Sequence, residues 1–232
     1  MANGKLFLIP CGLGGDNESE ILPRETIEAA HSLTEFIVEK EKTARHFLKR
    51  IGYPHPLNDL ILHPLNKHSD EAATPLYLNN ALEGRNIGLI SEAGCPAVAD
   101  PGAVVVELAH KKNIEVIPLV GPSSILLGLM ASGKSGQSFV FHGYLPKDKS
   151  DRMHKIKRME SDSRKGQTQI FMETPFRNNG LLDDLIAVLS NQSVLTIATN
   201  LQTSKQKIIN LPIEKLKNRK PDLAKKPTVF YL

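Results

Sequence analysis

Short apolar runs closed by Gly, Pro and polar turns alternate with amphipathic stretches along most of the chain, and this alternation sets the first expectation of the fold. Residues 5–9, Lys-Leu-Phe-Leu-Ile, form an apolar run stopped by Pro10 and by the turn-forming Cys-Gly-Leu-Gly-Gly-Asp that follows. That is the pattern of a buried strand opening into a loop. A helix is expected over residues 24–33, a strand over 34–38 and a helix over 43–50. Residues 79–82 close another helix, 86–90 read as a strand, 104–111 as a helix and 115–120 as a strand. Strands and helices in this order imply a parallel sheet covered by helices.

Beyond Gly121 and Pro122 the pattern changes. A small-residue helix (SSILLGLMASG) precedes a strand at 139–143 and a charged helix (DRMHKIKRME). Strands are expected at 168–172, 194–199 and 228–232, with a helix at 181–189. This half reads as a second α/β domain with a mixed sheet. The boundary is placed near Gly121, giving an N-terminal domain of residues 1–120 and a C-terminal domain of 121–232. With 232 residues, 41% of them hydrophobic and 23% charged, the chain can bury a sizeable core.

No apolar run approaches the roughly 20 residues that span a bilayer, and the first residues lack a signal-peptide pattern, so a soluble cytoplasmic protein is expected. Cys11 and Cys95 are far apart without metal-ligand spacing, which argues against a disulfide framework or a zinc site. A net charge of +4 tolerates a polyanionic partner without requiring one. With 5% aromatic residues and no Trp, no stacking platform for single-stranded bases is visible.

Ligands of parallel sheets bind beyond the carboxyl ends of the strands. Three loops qualify, those after Ile9, Ile90 and Val120. The first departs from a dinucleotide fingerprint because Asn17 stands where the third glycine belongs, and neither a P-loop nor a G-x-S-x-G elbow occurs anywhere. Asp100-Pro101-Gly102 reads as a helix start with Asp100 as N-cap and Pro101 at the first helical position. Residues 152–158 read as a solvated helix face or as an RNA-binding patch. His55, His63 and His68 fall in a Pro-rich loop with irregular spacing, a poor pattern for a metal site. Glu173 is placed to anchor Arg177 or to shape a pocket.

Four blocks stand in order along the chain: GLISEAGCPAVADPG (88–102), PLVGPSSILLGLMASG (118–133), FVFHGYLP (139–146) and METPFRN (172–178). Together they resemble the tetrapyrrole methylase family of S-adenosylmethionine-dependent methyltransferases, and within it the branch of bacterial 16S ribosomal RNA ribose 2′-O-methyltransferases. That branch carries a similar strand-SDAGTP-x-x-x-DPG loop, a PGPSA turn, an F-x-GFLP strand and an E-S-P-H-R segment. The resemblance implies two α/β domains with S-adenosylmethionine in the cleft between them, a homodimer, and ribosomal RNA or the small ribosomal subunit as partner. It implies cofactor contacts from Pro10, from Ser91, Glu92, Ala93, Gly94, Pro96, Val98 and Asp100, from Gly121, Pro122, Ser123 and Ser124, and from Met172 and Leu201. Substrate contacts are implied at Glu39, Arg45 and Arg177, and no catalytic residue is designated.

The chain departs from the branch where Val38-Glu-Lys-Glu-Lys-Thr-Ala-Arg45 replaces a segment like A-E-D-T-R-H-T-R: Glu39 and Arg45 match, while Lys40, Glu41 and Lys42 replace its D-T-R core. The first loop is shortened, keeping Pro10, Gly14, Gly15 and Asp16, and the branch's R-E-L-T-K segment keeps only Leu201 and Thr203. Two alternatives therefore stay open: a methyltransferase for a small-molecule acceptor, and a cofactor-binding module without catalysis. The loops themselves suit S-adenosylmethionine. This cofactor carries no phosphate and needs close backbone partners, which Gly and Pro permit.

Overall fold

The apolar runs of the first half become β1 (Lys5–Ile9), β2 (Glu35–Val38), β3 (Ile61–Pro64), β4 (Ile87–Ile90) and β5 (Glu115–Pro118) in a computed structural model that describes residues 2–15, 17–66 and 74–232. These strands pair in the order β3-β2-β4-β1-β5, every pair parallel. The connections carry α1 (Glu18–Ile21), α2 (Arg24–His31), α3 (Glu41–Arg50), α4 (Asn79–Leu82) and α5 (Ala103–Lys111). Side chains alternate across a strand. Phe7, Ile9, Phe36, Val38 and Ile90 therefore pack with Ala30, Phe47 and Leu48 of α2 and α3 on one face. Leu6, Leu8, Ile37, Ile87 and Leu89 pack with Ala81, Val105 and Ala109 of α4 and α5 on the other. A sheet buried on both faces explains why β4 reads as an unbroken apolar run. Gly88 is required there, because a Cβ would lie 2.5 Å from the Phe36 ring.

β3 was not expected. His63 lies in this strand and not in a loop; its Nε2 meets the buried Glu35 carboxylate at 2.7 Å and its ring stacks on Tyr77. Asn80 donates to the second Glu35 oxygen at 2.8 Å, so this interior carboxylate has partners on both oxygens. His55 edges against Tyr53. His68 lies outside the described residues. Among the described residues no helix is long and apolar enough to cross a membrane.

The second half contains α6 (Ser124–Ser132), β6 (Phe139–Tyr144), α7 (Lys149–Arg164), β7 (Thr168–Met172), α8 (Asn178–Val188), β8 (Val194–Thr199), β9 (Lys207–Pro212), α9 (Ile213–Asn218) and β10 (Thr228–Tyr231). Its sheet runs β6-β7-β10-β8-β9, with β6 and β7 parallel and the other pairs antiparallel. Phe171 and Phe230 stack in a core closed by Ile156, Met159, Leu182, Leu185 and Leu216 from α7, α8 and α9. On the opposite face Gly128 lets α6 rest on Tyr231, whose hydroxyl donates to the Ser124 carbonyl at 2.8 Å. The chain divides into compact units Met1–Ser123 and Ser124–Leu232, so Gly121, Pro122 and Ser123 stay with the first.

Candidate functional site

Because the first sheet is parallel, the chain leaves β1, β4 and β5 at the same edge, and the three loops meet there. Cys11 and Gly94 exchange backbone hydrogen bonds, N–H to carbonyl at 3.0 Å in each direction. The Pro10 ring lies so close to Gly121 that a Cβ at that position would come within 2.2 Å of Pro10 Cγ. Cys95 Sγ donates to the Pro122 carbonyl at 3.5 Å, and the Ser91 hydroxyl donates to the Gly94 carbonyl at 2.6 Å. Residues separated by more than a hundred positions thus form one small assembly.

The middle loop is bent hard. Gly94, Ala97 and Ala99 have φ of 73°, 63° and 57°. For an alanine this left-handed conformation costs about 1–2 kcal/mol and persists only where the surroundings impose it. Asp100 does so: its Oδ1 accepts from the Ala97 amide at 3.2 Å and the Gly102 amide at 2.7 Å. It is not the N-cap of α5, as the sequence suggested. Gly102 takes the cap position, and Asp100 reaches back across the loop. The thiols do not serve as nucleophiles, since burial raises the pKa of Cys95 and, more strongly, that of Cys11, keeping both protonated.

Beside this assembly a cavity of about 150 Å³ is lined by Glu39, Thr43, His46, Arg50, Ser91 and Glu92, among others. Glu39 follows β2 directly and shares a hydrogen bond with Asp100. Burial, the Asp100 charge and that bond, with Glu92 adding, push the Glu39 carboxyl up to about 7 against the pull of Lys40. Glu92 accepts from the Thr43 hydroxyl and pairs with Lys40 at 3.4 Å. Arg50 holds the buried Glu18 through two bonds of 2.6 and 2.7 Å. Arg45 is not among the lining residues and pairs with Glu41 at 2.7 Å.

In the second unit β6, β7 and β8 point the same way, which brings Gly143 to Pro146, Met172 to Arg177 and Asn200 to Thr203 to one sheet edge. Buried Glu173 takes an ion pair from Arg177 and the Thr174 amide at 2.6 Å, so it anchors the arginine. Leu201 is buried between Asn200 and Gln202, both at positive φ. Gln202 Oε1 is buried without a hydrogen-bond partner among the described residues. Ser124 opens α6, where its carbonyl accepts from the Tyr231 hydroxyl. Arg152, at the start of the stretch read as a solvated helix face or an RNA-binding patch, is a brace: it pairs with Asp184 at 2.7 Å and donates to the Pro146 and Lys147 carbonyls. Lys157 and Arg158 remain exposed on α7.

These features fit the cofactor that the motifs imply. In sequence the three loops of the first unit carry no Lys or Arg but three acids, Asp16, Glu92 and Asp100, which disfavours a phosphate and suits a cationic ligand. Gly94 and Gly121 offer main chain with almost no space for a side chain.

Solved structures with this architecture include diphthine synthase, matched at a TM-score of 0.71 and 15% identity over 99% of this chain and 89% of that one. The methyltransferase CobJ matches at 0.64 and 19%, over 98% and 93%. No protein-family model matches the chain. The chain shares the fold of these structures, and its ordered loop motifs resemble those of the tetrapyrrole methylase family. Its sequence relatives are proteins named ribosomal RNA small subunit methyltransferase I. That of Halalkalibacterium halodurans is 30% identical over 195 residues, 82% of this chain and 62% of the relative. That of Escherichia coli O157:H7 is 28% identical over 215 residues, 93% of this chain and 71% of the relative. The chain thus spans about two thirds of the length of these curated relatives.

Proposed function

We propose that the chain is an S-adenosylmethionine-dependent methyltransferase acting on a ribose 2′-hydroxyl of small-subunit ribosomal RNA, as a cytoplasmic homodimer. The observation that carries this reading is the joining of the three carboxyl-end loops through Cys11–Gly94, Pro10–Gly121 and Cys95–Pro122. The names of the sequence relatives add the RNA substrate.

S-adenosylmethionine supplies a methyl group on a positively charged sulfur. The chain's task is to hold acceptor and methyl group in line and to keep water out. In the first unit, Gly94 and Gly121 present main chain to the cofactor, Ser91 and Asp100 fix the loop that carries Gly94, and Glu92 and Asp100 favour positive charge. Exposed Lys157 and Arg158 on α7 suit backbone phosphates of RNA. Leu126 and Met130, one turn apart and exposed on α6, suit a self-association surface.

Calorimetry with S-adenosylmethionine and its demethylated product tests the cofactor: micromolar binding of either is expected, and binding of neither at millimolar concentration overturns the assignment. Light scattering on the eluting protein tests the dimer, with a monomer mass refuting it.

A further inference from the structure

The charge of the chain is divided unequally between its two units. Residues 124–232 carry 18 Lys and Arg against 9 Asp and Glu, while residues 1–123 carry 11 against 16, so a net charge of +9 stands in the second unit and −5 in the first. We propose that the outer surface of the helical layer α7, α8 and α9 in the second unit is a docking face for double-helical RNA, held by its phosphates. This deepens the RNA reading above and rests on it for the identity of the partner.

The core builds this layer. α7, α8 and α9 turn Ile156, Met159, Leu182, Leu185 and Leu216 onto one face of the sheet, and α8 packs between the other two helices. Most acids of the layer are already engaged: Asp184 with Arg152, Glu160 with Arg164, Asp162 with Lys165 and Asp183 with Lys220. Lys157 and Arg158 on α7, and Lys215 and Arg219 one turn apart at the end of α9, are exposed and have no acidic partner among the described residues. Their charge is left for a ligand, and phosphate is the group that such a surface neutralises best.

The arrangement also says which polyanion fits. α8, residues 178–188, contains no Lys or Arg, so the free cations form two rows with a strip between them that adds no positive charge. Helices in contact lie about 8–10 Å apart, which sets the rows roughly 16–20 Å from each other. An extended single strand follows one row at a time, whereas a double helix presents two phosphate strands, one to each row. The three helices carry no Phe, Tyr or Trp on which an unpaired base could stack. Double-stranded RNA needs no such platform, because it is recognised by its shape and backbone.

The test titrates the full chain into a fluorescent RNA duplex of about 20 base pairs, and into one of its strands alone, between about 50 and 200 mM salt. Affinity for the duplex should fall steeply with salt, and Lys215→Ala combined with Arg219→Ala should flatten the slope by about two units. The control pair Lys111→Ala and Lys112→Ala, at the end of α5 in the first unit, should leave the slope unchanged. The single strand, engaging one row, should bind roughly tenfold more weakly at the lower salt. A slope unaltered by the Lys215 and Arg219 pair, an equal flattening by the control pair, or a single strand bound as tightly as the duplex overturns the inference. Methyl transfer to small ribosomal subunits, measured on the same proteins, separates this face from the reading it rests on. Transfer with duplex slopes that no α9 change alters removes the face and leaves methyl transfer standing; flattened slopes without any transfer support the face and remove methyl transfer.

Discussion

Replacing Gly94 by Val tests whether main chain, and not side chains, forms the cofactor-facing loop. Gly94 sits at φ 73°, and a Cβ there would stand 3.3 Å from Leu13 Cδ2 and 3.5 Å from the Pro122 carbonyl oxygen. Left-handed backbone costs an L-residue about 1–2 kcal/mol, and a β-branched one more. The two added methyl groups must also press on Leu13 or Pro122, pulling at the paired Cys11–Gly94 hydrogen bonds, each worth about 0.5–1.5 kcal/mol. The sum is about 2–5 kcal/mol, divided between loop stability and binding. If about 2–3 kcal/mol falls on the binding-competent loop, affinity for the demethylated cofactor drops roughly 30–150-fold. Cys95→Ser exchanges one donor to Pro122 for another of similar size and should stay within about 0.5 kcal/mol. Calorimetry on both variants, with thermal melts to establish that each is folded, measures the difference. A folded Gly94→Val protein whose affinity lies within threefold of Cys95→Ser would refute the backbone argument.

Other outcomes follow from the same geometry. Glu39 is raised to about 7 in the folded chain, above its value of 4.5 when unfolded, so the fold binds the extra proton between these limits and its stability falls as pH rises through them. Because Glu39 is only partly buried, the effect is discounted to about 1 kcal/mol; urea melts at pH 5 and pH 8 should show it in the unmodified chain and not in Glu39→Gln. Changing Lys157 and Arg158 together to Ala should flatten the salt dependence of RNA binding by about two units without altering cofactor affinity. An unchanged slope makes them a solvated face. Arg152→Ala should instead destabilise the second unit by about 1–3 kcal/mol, because nearly buried Asp184 keeps only the longer pairing with Lys149 at 3.9 Å and the Pro146 and Lys147 carbonyls lose their donor; equal melting temperatures would contradict this. Gly128→Ala would place a Cβ 2.0 Å from the Tyr231 hydroxyl and should cost about 1–3 kcal/mol in denaturant unfolding, unless α6 can lift freely.

How much of this could be read along the chain depends on what each residue's signal consists of. β1 and β4 are apolar runs bounded by Gly, Pro or polar turns, so they were legible, as were the parallel first sheet and the mixed second one. β3 was hidden because Ile61–Pro64 is four residues long and includes His63, and its polarity makes sense only once Glu35 lies beside it. β9 is an edge strand opening on Lys207, half exposed along its length, and α1 is too short to show a helical period. Gly94 and Gly121 announced close main-chain approach, since glycine between Ala and Cys or between Val and Pro has few other uses. The Glu39–Asp100 contact gave no signal, because the pairing of β2 with β4 alone brings their carboxyl ends together. Arg152 and Arg158 look alike on a charged helix; only the arrival of Asp184 from α8 makes the first a brace. Asp100 was misread for a related reason. Asp-Pro-Gly has the spelling of a helix start, but the positive φ at Ala97 and Ala99 turns the Ala97 amide toward Asp100 and the helix begins later.

The central claim is methyl transfer to small-subunit ribosomal RNA. Its most direct test incubates the full chain with methyl-labelled S-adenosylmethionine and purified small ribosomal subunits, beside a parallel reaction on a metabolite extract. The account predicts label in the RNA, at a ribose that resists alkaline cleavage, and none in the small molecules. Label confined to the metabolite fraction, or none in either from a chain that binds the demethylated cofactor, would contradict it.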